Sequence, residues 1–126
     1  MRPQTLAEVA RLVIGGDSFD RCLANFLDDF YAEPKESALT EAPLLLAPSF
    51  GELGQVQDAY LAATAEELAR HIGFSMPAWA FGEERRLRRA WFASPLEALR
   101  AVLLVESPTG FRSRNLFVSE NALTRV

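Results

Sequence analysis

The sequence predicts an all-α fold, a single compact bundle of about five helices with an irregular C-terminal third. Hydrophobic residues recur every three or four positions over most of the chain, which is the period of an amphipathic helix. Capping patterns and glycine or proline breaks separate these stretches from one another. With 126 residues and 49% hydrophobic side chains, the chain can bury a core of its own. We therefore predict one helical domain over residues 1–126.

Two amphipathic helices are predicted in the first 31 residues. Thr5 and Glu8 have the spacing of a capping box, in which each side chain accepts a hydrogen bond from a free backbone N–H group. The glycines at 15–16 end the first helix, Asp17 or Ser18 can cap the second, and a proline at 34 stops it. The hydrophobic stripe of the second helix comprises Phe19, Cys22, Leu23, Phe26, Leu27, Phe30 and Tyr31.

Residues 34–52 are predicted to form a connector, and a long helix of about residues 53–72 follows it. We expect the connector to place the leucines at 44–46 on the core, because three adjacent exposed leucines would be unfavourable. Gly73 suits the left-handed conformation at the C-terminus of the long helix. The predicted stripe of this helix is Leu53, Val56, Tyr60, Leu61, Thr64, Leu68 and Ile72.

The last third of the chain has one well-marked helix. Ser94 and Glu97 form a second capping box, with a proline at the first helical position. Ser107 and Pro108 end this helix and can cap a short one through Arg112, while residues 116–118 suggest an extended tail or a brief strand too short to build a sheet with. The helix opened at Ser94 is expected to bury Leu96, Leu99, Val102 and Leu103.

Composition excludes several classes of site. One histidine and one cysteine cannot supply a metal site with three or more such ligands, and a single cysteine forms no disulfide within the chain. The only lysine, Lys35, lies outside any phosphate-binding loop, and no Gly-x-Ser-x-Gly motif is present. His71 has Glu67 one turn before it, and we favour a contact with Glu67 and the helix dipole over base catalysis. The sequence thus predicts a non-enzymatic protein without cofactor or metal.

The sequence also bears on location. The N-terminal stretch is interrupted by Glu8 and Arg11 and lacks the apolar region of a signal peptide, and no apolar run is long enough to span a bilayer. The net charge of −4 provides no general attraction to nucleic acid or anionic membrane. We therefore predict a cytoplasmic protein without a membrane partner.

Charged residues are sorted along the chain. Residues 1–82 carry 12 acidic and 5 basic side chains, whereas residues 83–126 carry 5 acidic and 8 basic ones, and all 8 are arginine. The segment 83–92 lies at the change of sign and combines arginines with aromatic residues, a composition typical of recognition surfaces. The candidate partner-binding residues are Trp79, Arg85, Arg86, Arg88, Arg89, Trp91, Phe92, Arg112 and Arg114.

Several interpretations of these arginines remain open. They can bind a protein partner or a second copy of the chain, or they can form a nucleic-acid-binding module, which we rank lower. If residues 83–90 are helical, Arg88 can instead pair with Glu84 on a solvated face. The arginines can also pair with the acidic helices of the same chain, and a pair of Arg112 or Arg114 with Glu106 would brace the C-terminal turn. The adjacent acids at 66–67 are interpreted as part of a solvated face.

Several segments, in order along nearly the whole chain, resemble a family of small, uncharacterised bacterial helical proteins. The matching stretches are residues 26–31 (Phe-Leu-Asp-Asp-Phe-Tyr), 58–61 (Asp-Ala-Tyr-Leu) with the helix after it, 77–79 (Pro-Ala-Trp), 91–92 (Trp-Phe), 106–112 and Phe117. Some members of this family are thought to be encoded beside nucleotidyltransferase-like genes of toxin–antitoxin type. The resemblance implies an antitoxin-like role in partner binding and supplies no catalytic residues.

Overall fold

A computed structural model of the chain describes residues 2–94 and 97–125, and of residues 97 and 98 it describes the backbone alone. The described residues form α1 (Leu6–Ile14), α2 (Phe19–Ala32), α3 (Ser37–Thr40), α4 (Ala47–Phe50), α5 (Glu52–Ile72), α6 (Glu97–Glu106) and α7 (Thr109–Arg112). Two 3₁₀ helices, Ala78–Phe81 and Glu83–Arg85, lie between α5 and α6. The two strands, β1 (Trp91–Phe92) and β2 (Leu116–Phe117), have two residues each. The predicted all-α bundle is confirmed.

The long helix α5 is buried on two sides, and each side faces a different hydrophobic cluster. One cluster packs Leu61, Leu68 and small residues of α5 against α1 and α2. The other packs Ala59 and Ala63 of α5 against the C-terminal third, including Phe111. A helix covered on opposite sides has no continuous polar face, and residues 61–66 are accordingly all buried. The single stripe expected from the sequence describes only part of this arrangement.

The predicted caps of the first two helices are present in the structure. The Thr5 hydroxyl accepts a hydrogen bond from the Glu8 N–H at 3.0 Å, while the Glu8 carboxylate accepts one from the N–H of Gln4 rather than from that of Thr5. Ser18, not Asp17, caps α2 by accepting from the Arg21 N–H at 3.2 Å. Most of the α2 stripe is buried: Cys22, Leu23, Phe26, Leu27 and Phe30.

The connector buries only one of its three adjacent leucines, so that expectation was wrong. Leu46 is buried, but Leu44 and Leu45 are exposed. The N–H groups of Leu46 and Ala47 both donate to the carboxylate of Asp58, at 2.6 and 3.1 Å. These bonds hold the chain at residue 46 against α5, and the two preceding side chains are left in solvent.

Gly54 allows α4 to lie directly against α5, which leads to a prediction about stability. A Cβ atom at position 54 would lie 2.4 Å from the Leu46 carbonyl oxygen and 2.6 Å from the Ala47 nitrogen, both main-chain atoms. We expect Gly54→Ala to lower the free energy of unfolding by about 1–3 kcal/mol through this overlap. This result would be opposite to the preference of a helix interior for alanine.

Urea unfolding measures this effect, and Gln55→Ala is the matched control because Gln55 is the next residue on α5 and is exposed. The control should change the free energy of unfolding by no more than about 0.5 kcal/mol. A Gly54→Ala variant as stable as the wild type would contradict the close contact between α4 and α5.

Residues 86–90 are not helical, so the helical interpretation of the segment 83–90 was wrong after Arg85. The chain leaves the helical conformation after Arg85, and its backbone bonds to the C-terminal region instead of continuing a helix. The N–H groups of Leu87, Trp91 and Ala93 donate to the carbonyl groups of residues 114, 115 and 117. Strands β1 and β2 pair in parallel, with Trp91 opposite Leu116. A non-helical path, with bends at residues 86, 88 and 89 and a strand only at 91–92, replaces the expected Glu84–Arg88 helical pair.

Helix α6 contradicts the expected burial of its hydrophobic residues. Leu99 and Val102, which were expected in the core, are 43% and 49% exposed, and only the Leu103 prediction is confirmed. Leu96 lies outside the described residues. The helix packs mainly against β2 through the side that carries Leu103, so hydrophobic residues elsewhere on its circumference remain in solvent. We call the exposed side chains of Leu99, Val102 and Val105, which follow one another at three-residue spacing, the apolar α6 face.

Both ends of the described chain are tied to α2 by arginine. Arg2 donates two hydrogen bonds of 3.1 Å to Asp29, and Arg125 donates to Asp28 at 2.9 Å. These hydrogen bonds hold the pKa of both carboxyl groups below the ordinary value of 3.8. A carboxyl group with a lowered pKa in the folded state stabilises the fold above its unfolded-state pKa, and this contribution is lost as the pH falls through the folded-state value.

We therefore expect the double variant Arg2→Gln/Arg125→Gln to show a shallower loss of stability in acid than the wild type. The measurement is the urea midpoint at a series of pH values from neutral to below 3.8, the ordinary carboxyl pKa. Arg112→Gln is the control, because Arg112 is exposed and belongs to none of the ion pairs of the described residues. If the urea midpoint of the double variant falls with decreasing pH as steeply as that of the wild type, the Arg2–Asp29 and Arg125–Asp28 pairs do not stabilise the fold.

Candidate functional site

The segment that follows the second 3₁₀ helix forms one wall of a large open groove. The groove has a volume of about 1090 Å³ and lies between residues 83–91 and the α4–α5 region. Arg86, Arg88 and Arg89 line the first wall together with Trp91, and Leu45 and Val56 are apolar residues of the second. We call this concavity the arginine groove.

Arg85 lies inside the protein and does not face the groove. Its side chain is 3% exposed, and its Nη2 donates to the Pro43 carbonyl oxygen at 2.6 Å. Its Nη1 lies 3.7 Å from an Asp58 carboxylate oxygen, and its guanidinium lies 4.9 Å from the ring centre of Trp79. Burial disfavours the charged form of each group, and it therefore lowers the pKa of Arg85 and raises the pKa of Asp58. Arg85 therefore links three parts of the fold.

Arg114 is buried in a second internal site. Its Nη1 donates to the Glu66 carboxylate at 2.7 Å and to the Gly110 carbonyl oxygen at 2.6 Å. Its Nη2 donates to the Ala80 carbonyl oxygen at 2.7 Å, and the guanidinium lies 5.3 Å from the ring centre of Phe81. The expected pairing of this arginine with Glu106 was wrong. Glu66 is itself only 5% exposed, so the interpretation of residues 66–67 as a solvated face was also wrong for Glu66.

These positions remove Arg85 and Arg114 from the set of residues that can contact a partner in this conformation. The two other internal candidates are aromatic and half-buried. The Trp79 indole N–H donates to the Leu39 carbonyl oxygen at 3.0 Å. Phe92 stacks on Phe117 with ring centres 5.0 Å apart. Their contacts within the chain support the folded state.

The remaining candidates are exposed. Arg86, Arg88, Arg89 and Arg112 all reach solvent, and none belongs to an ion pair within the part of the chain that the structure describes. Three of them line the arginine groove beside Trp91, whereas Arg112 lies outside it on α7. The structure thus brings four of the nine candidate residues together on one open surface.

A second, smaller concavity adjoins the arginine groove. It measures about 540 Å³ and is lined mainly by apolar side chains of α2, α5 and the C-terminal residues. Val56 and Trp91 line both concavities, so the two are neighbours. Burial raises the pKa of Tyr60, which lies in the smaller one, to about 12. The phenol is therefore neutral at physiological pH.

The residues considered for chemistry do not converge. His71 is exposed in the last turn of α5, and the Glu67 carboxylate bonds to Arg70 and to the Gly110 N–H rather than to His71. Cys22 is buried on α2, and burial raises the pKa of its thiol. Among the described residues no group of three or more histidine, cysteine or acidic side chains could hold a metal ion.

Comparison with known proteins yields no relative: no protein-family model, curated protein or solved structure matches the chain. Of the helices within residues 2–94 and 97–125, none has the length and apolar character needed to cross a membrane.

Sequence reasoning missed the two buried carboxylates that receive the arginines. Asp58 and Glu66 both lie in the stretch of α5 that is otherwise rich in buried alanine and leucine. That surrounding composition is the available signal, since an acidic residue within an apolar stretch has to find a partner when the stretch is buried. The partners themselves, Arg85 and Arg114, lie 27 and 48 positions further along the chain, where no local pattern connects them to α5.

Proposed function

We propose that this protein is a non-enzymatic protein–protein interaction module. The observation that carries the proposal is the apolar α6 face. Val105 is 81% exposed, and Leu99 and Val102, which precede it at three-residue spacing, are 43% and 49% exposed. Single exposed hydrophobic residues are ordinary on protein surfaces, but a cluster on one helix marks an interaction site.

The contacts of α6 explain why this face is available. Leu103 is the buried residue of the helix, and Ser107 after it bonds to the carbonyl and N–H groups of Val118. Val105 lies on the opposite side from Leu103, because successive helical residues are about 100° apart. Arg100, the basic residue of the helix, lies 5.1 Å from the ring centre of Phe92. Covering the outward side by a partner would remove large apolar side chains from water.

Co-purification of the tagged protein from its native host tests this proposal. We expect a partner to elute with the wild type and to be reduced at least about tenfold with Val105→Glu, because a buried unpaired carboxylate opposes docking. Leu44→Glu is the matched control, since Leu44 is an exposed leucine on the connector. Elution of the wild type without a partner at every salt concentration would overturn the proposal.

The resemblance noted in the sequence supports a narrower form of the proposal, in which the chain is the neutralising, antitoxin-like subunit of a two-gene module. In this form the partner is encoded beside the chain and is toxic when expressed alone. Co-expression of the wild type should relieve that toxicity, and co-expression of Val105→Glu should not. A neighbouring gene product that is harmless alone would contradict the antitoxin role but not the interaction role.

A nucleic-acid-binding role is the alternative. The specific observation in its favour is the exposed set Arg86, Arg88, Arg89 and Arg112, which phosphate groups can reach. Binding of this type weakens steeply as the salt concentration rises. Burial of Arg85 and Arg114 leaves fewer arginines for it than the sequence suggests.

A further inference from the structure

We infer that the arginine groove binds an acidic segment of a protein partner, with an apolar side chain of that segment seated beside Trp91. This inference rests on the proposed function, because it states the chemistry of the partner. It concerns a surface separate from the apolar α6 face, since none of the described α6 side chains lines the groove. The two surfaces can therefore be tested independently.

The first argument is the excess of uncompensated positive charge on one wall. The guanidinium groups of Arg86, Arg88 and Arg89 are exposed, and none belongs to an ion pair within residues 2–94 and 97–125. The remaining arginines of the C-terminal third are either paired with a carboxylate (Arg85, Arg114, Arg125), stacked on an aromatic ring (Arg100) or outside the groove (Arg112). The free arginine charge of this region is thus concentrated along the groove.

The second argument concerns the glutamates that also line the groove. Glu83 and Glu84 are exposed, and like the arginines they belong to no ion pair within the described residues. Glu52 occupies the first turn of α5, where the amide dipoles of the helix stabilise a negative charge. The charged residues of the stretch 86–91 are nevertheless all arginine, so the ligand that complements this stretch, beside Trp91, is acidic.

The third argument is the shape of the groove and the apolar part of its lining. Leu45, Val56, Leu87 and Trp91 supply apolar surface between the charged groups. A volume of about 1090 Å³ slightly exceeds the range of small-molecule sites, about 300–1000 Å³, and the groove is open to solvent. An extended peptide with an apolar anchor fills such a groove better than a small anion does. Arginine and tryptophan are also the residue types that dominate binding energy in protein interfaces.

The lining of the groove also favours a protein segment over nucleic acid. A phosphate backbone carries charge along its whole length and would approach Glu52, Glu83 and Glu84 as well as the arginines. Leucine and valine side chains offer no hydrogen bond to base edges. The chain as a whole carries a net charge of −4, which opposes long-range attraction of a polyanion. A short acidic segment can place its carboxylates on the arginine wall alone.

Fluorescence anisotropy with the purified full chain tests the inference. The probe is a short fluorescein-labelled peptide in which glutamates flank a central Leu-Phe pair. Comparison probes are the same peptide with Ser-Gly in place of Leu-Phe, the same peptide with lysines in place of glutamates, and a labelled single-stranded oligonucleotide. The test variant is Arg88→Glu/Arg89→Glu, and the matched control is Arg112→Glu, which reverses an exposed arginine outside the groove.

We expect the glutamate–Leu-Phe peptide to bind the wild type, to bind the double variant at least about tenfold more weakly, and to bind Arg112→Glu as it binds the wild type. The Ser-Gly and lysine peptides should both bind more weakly than the first. Val105→Glu should bind the peptide normally, which separates this result from the co-purification test. Absence of peptide binding, or equal binding by Arg88→Glu/Arg89→Glu and Arg112→Glu, would overturn the inference. If the oligonucleotide binds the wild type more tightly than the glutamate–Leu-Phe peptide does, and Arg88→Glu/Arg89→Glu abolishes that binding, the groove is a nucleic-acid site and the inference is overturned.

Discussion

Replacement of Asp58 by alanine is expected to lower the free energy of unfolding by about 3–5 kcal/mol, the range observed when one partner of a buried ion pair is removed. The carboxylate is 1% exposed and serves two purposes at once. It accepts hydrogen bonds from the N–H groups of Leu46 and Ala47, and it faces Arg85. Its removal leaves two backbone N–H groups without their acceptor and the buried Arg85 guanidinium without its counter-charge.

Urea unfolding provides the measurement, and Asp20→Ala is the control because Asp20 is an exposed aspartate. The control should shift the free energy of unfolding by no more than about 0.5 kcal/mol. Hydrogen exchange adds a local test, since the amides of Leu46 and Ala47 should lose protection in Asp58→Ala before the rest of the protein does. A loss of less than about 1 kcal/mol would show that Asp58 is not the main partner of these groups.

Glu66→Ala is expected to have an effect of similar size, about 3–5 kcal/mol, through the other buried arginine. Without this carboxylate, Arg114 keeps its hydrogen bonds to the carbonyl groups of Gly110 and Ala80, but its charge has no partner. Arg114 is 2% exposed, so water cannot replace the missing carboxylate without opening the fold. The free energy of unfolding measured in urea reports the loss.

The double variant Glu66→Met/Arg114→Met separates a charge effect from a packing effect. Replacing both members of a buried pair by apolar residues of similar size is often neutral or stabilising. We therefore expect the double variant to be more stable than Glu66→Ala. If the double variant loses as much free energy of unfolding as Glu66→Met and Arg114→Met lose together, the shape of the side chains and not their charge accounts for the loss.

These two ion pairs provide a structural explanation for part of the charge sorting along the chain. Asp58 and Glu66 belong to the acidic first 82 residues, and Arg85 and Arg114 belong to the arginine-rich remainder. Each pair fastens the C-terminal third to α5. Arg125, paired with Asp28, adds an exposed tie to α2. Of the remaining arginines, those at 86, 88 and 89 line the arginine groove, whereas Arg100 and Arg112 lie outside it.

The long helices could be predicted because their signals are local. Helix α2 has a serine cap, an uninterrupted hydrophobic stripe and a proline two residues after its last residue, Ala32. Helix α5 ends at Gly73, whose φ of 91° is the left-handed conformation expected there. Such patterns depend on neighbours within one or two turns.

Several predictions that depended on contacts with residues distant in the sequence were wrong. Leu99 and Val102 have helical spacing, but spacing does not say whether the rest of the fold covers the side that carries them. Arg114 was placed beside Glu106, which is close in sequence, whereas its partner Glu66 lies 48 positions away. The segment after Arg85 contains good helix formers, yet its N–H groups at residues 87, 91 and 93 bond to residues 114–117 and it forms no helix.

Local patterns were sufficient to predict the helical class, the positions of the long helices and the sorting of charge between the two parts of the chain, because periodicity, caps and composition can be read from the sequence. Which arginines are buried and which remain free depends on the tertiary fold. Arg85 and Arg88 have the same chemistry and are three residues apart, but α5 presents a buried carboxylate to the first and none to the second. Burial depends on what the rest of the fold places opposite a side chain, and that arrangement is not encoded within a few residues.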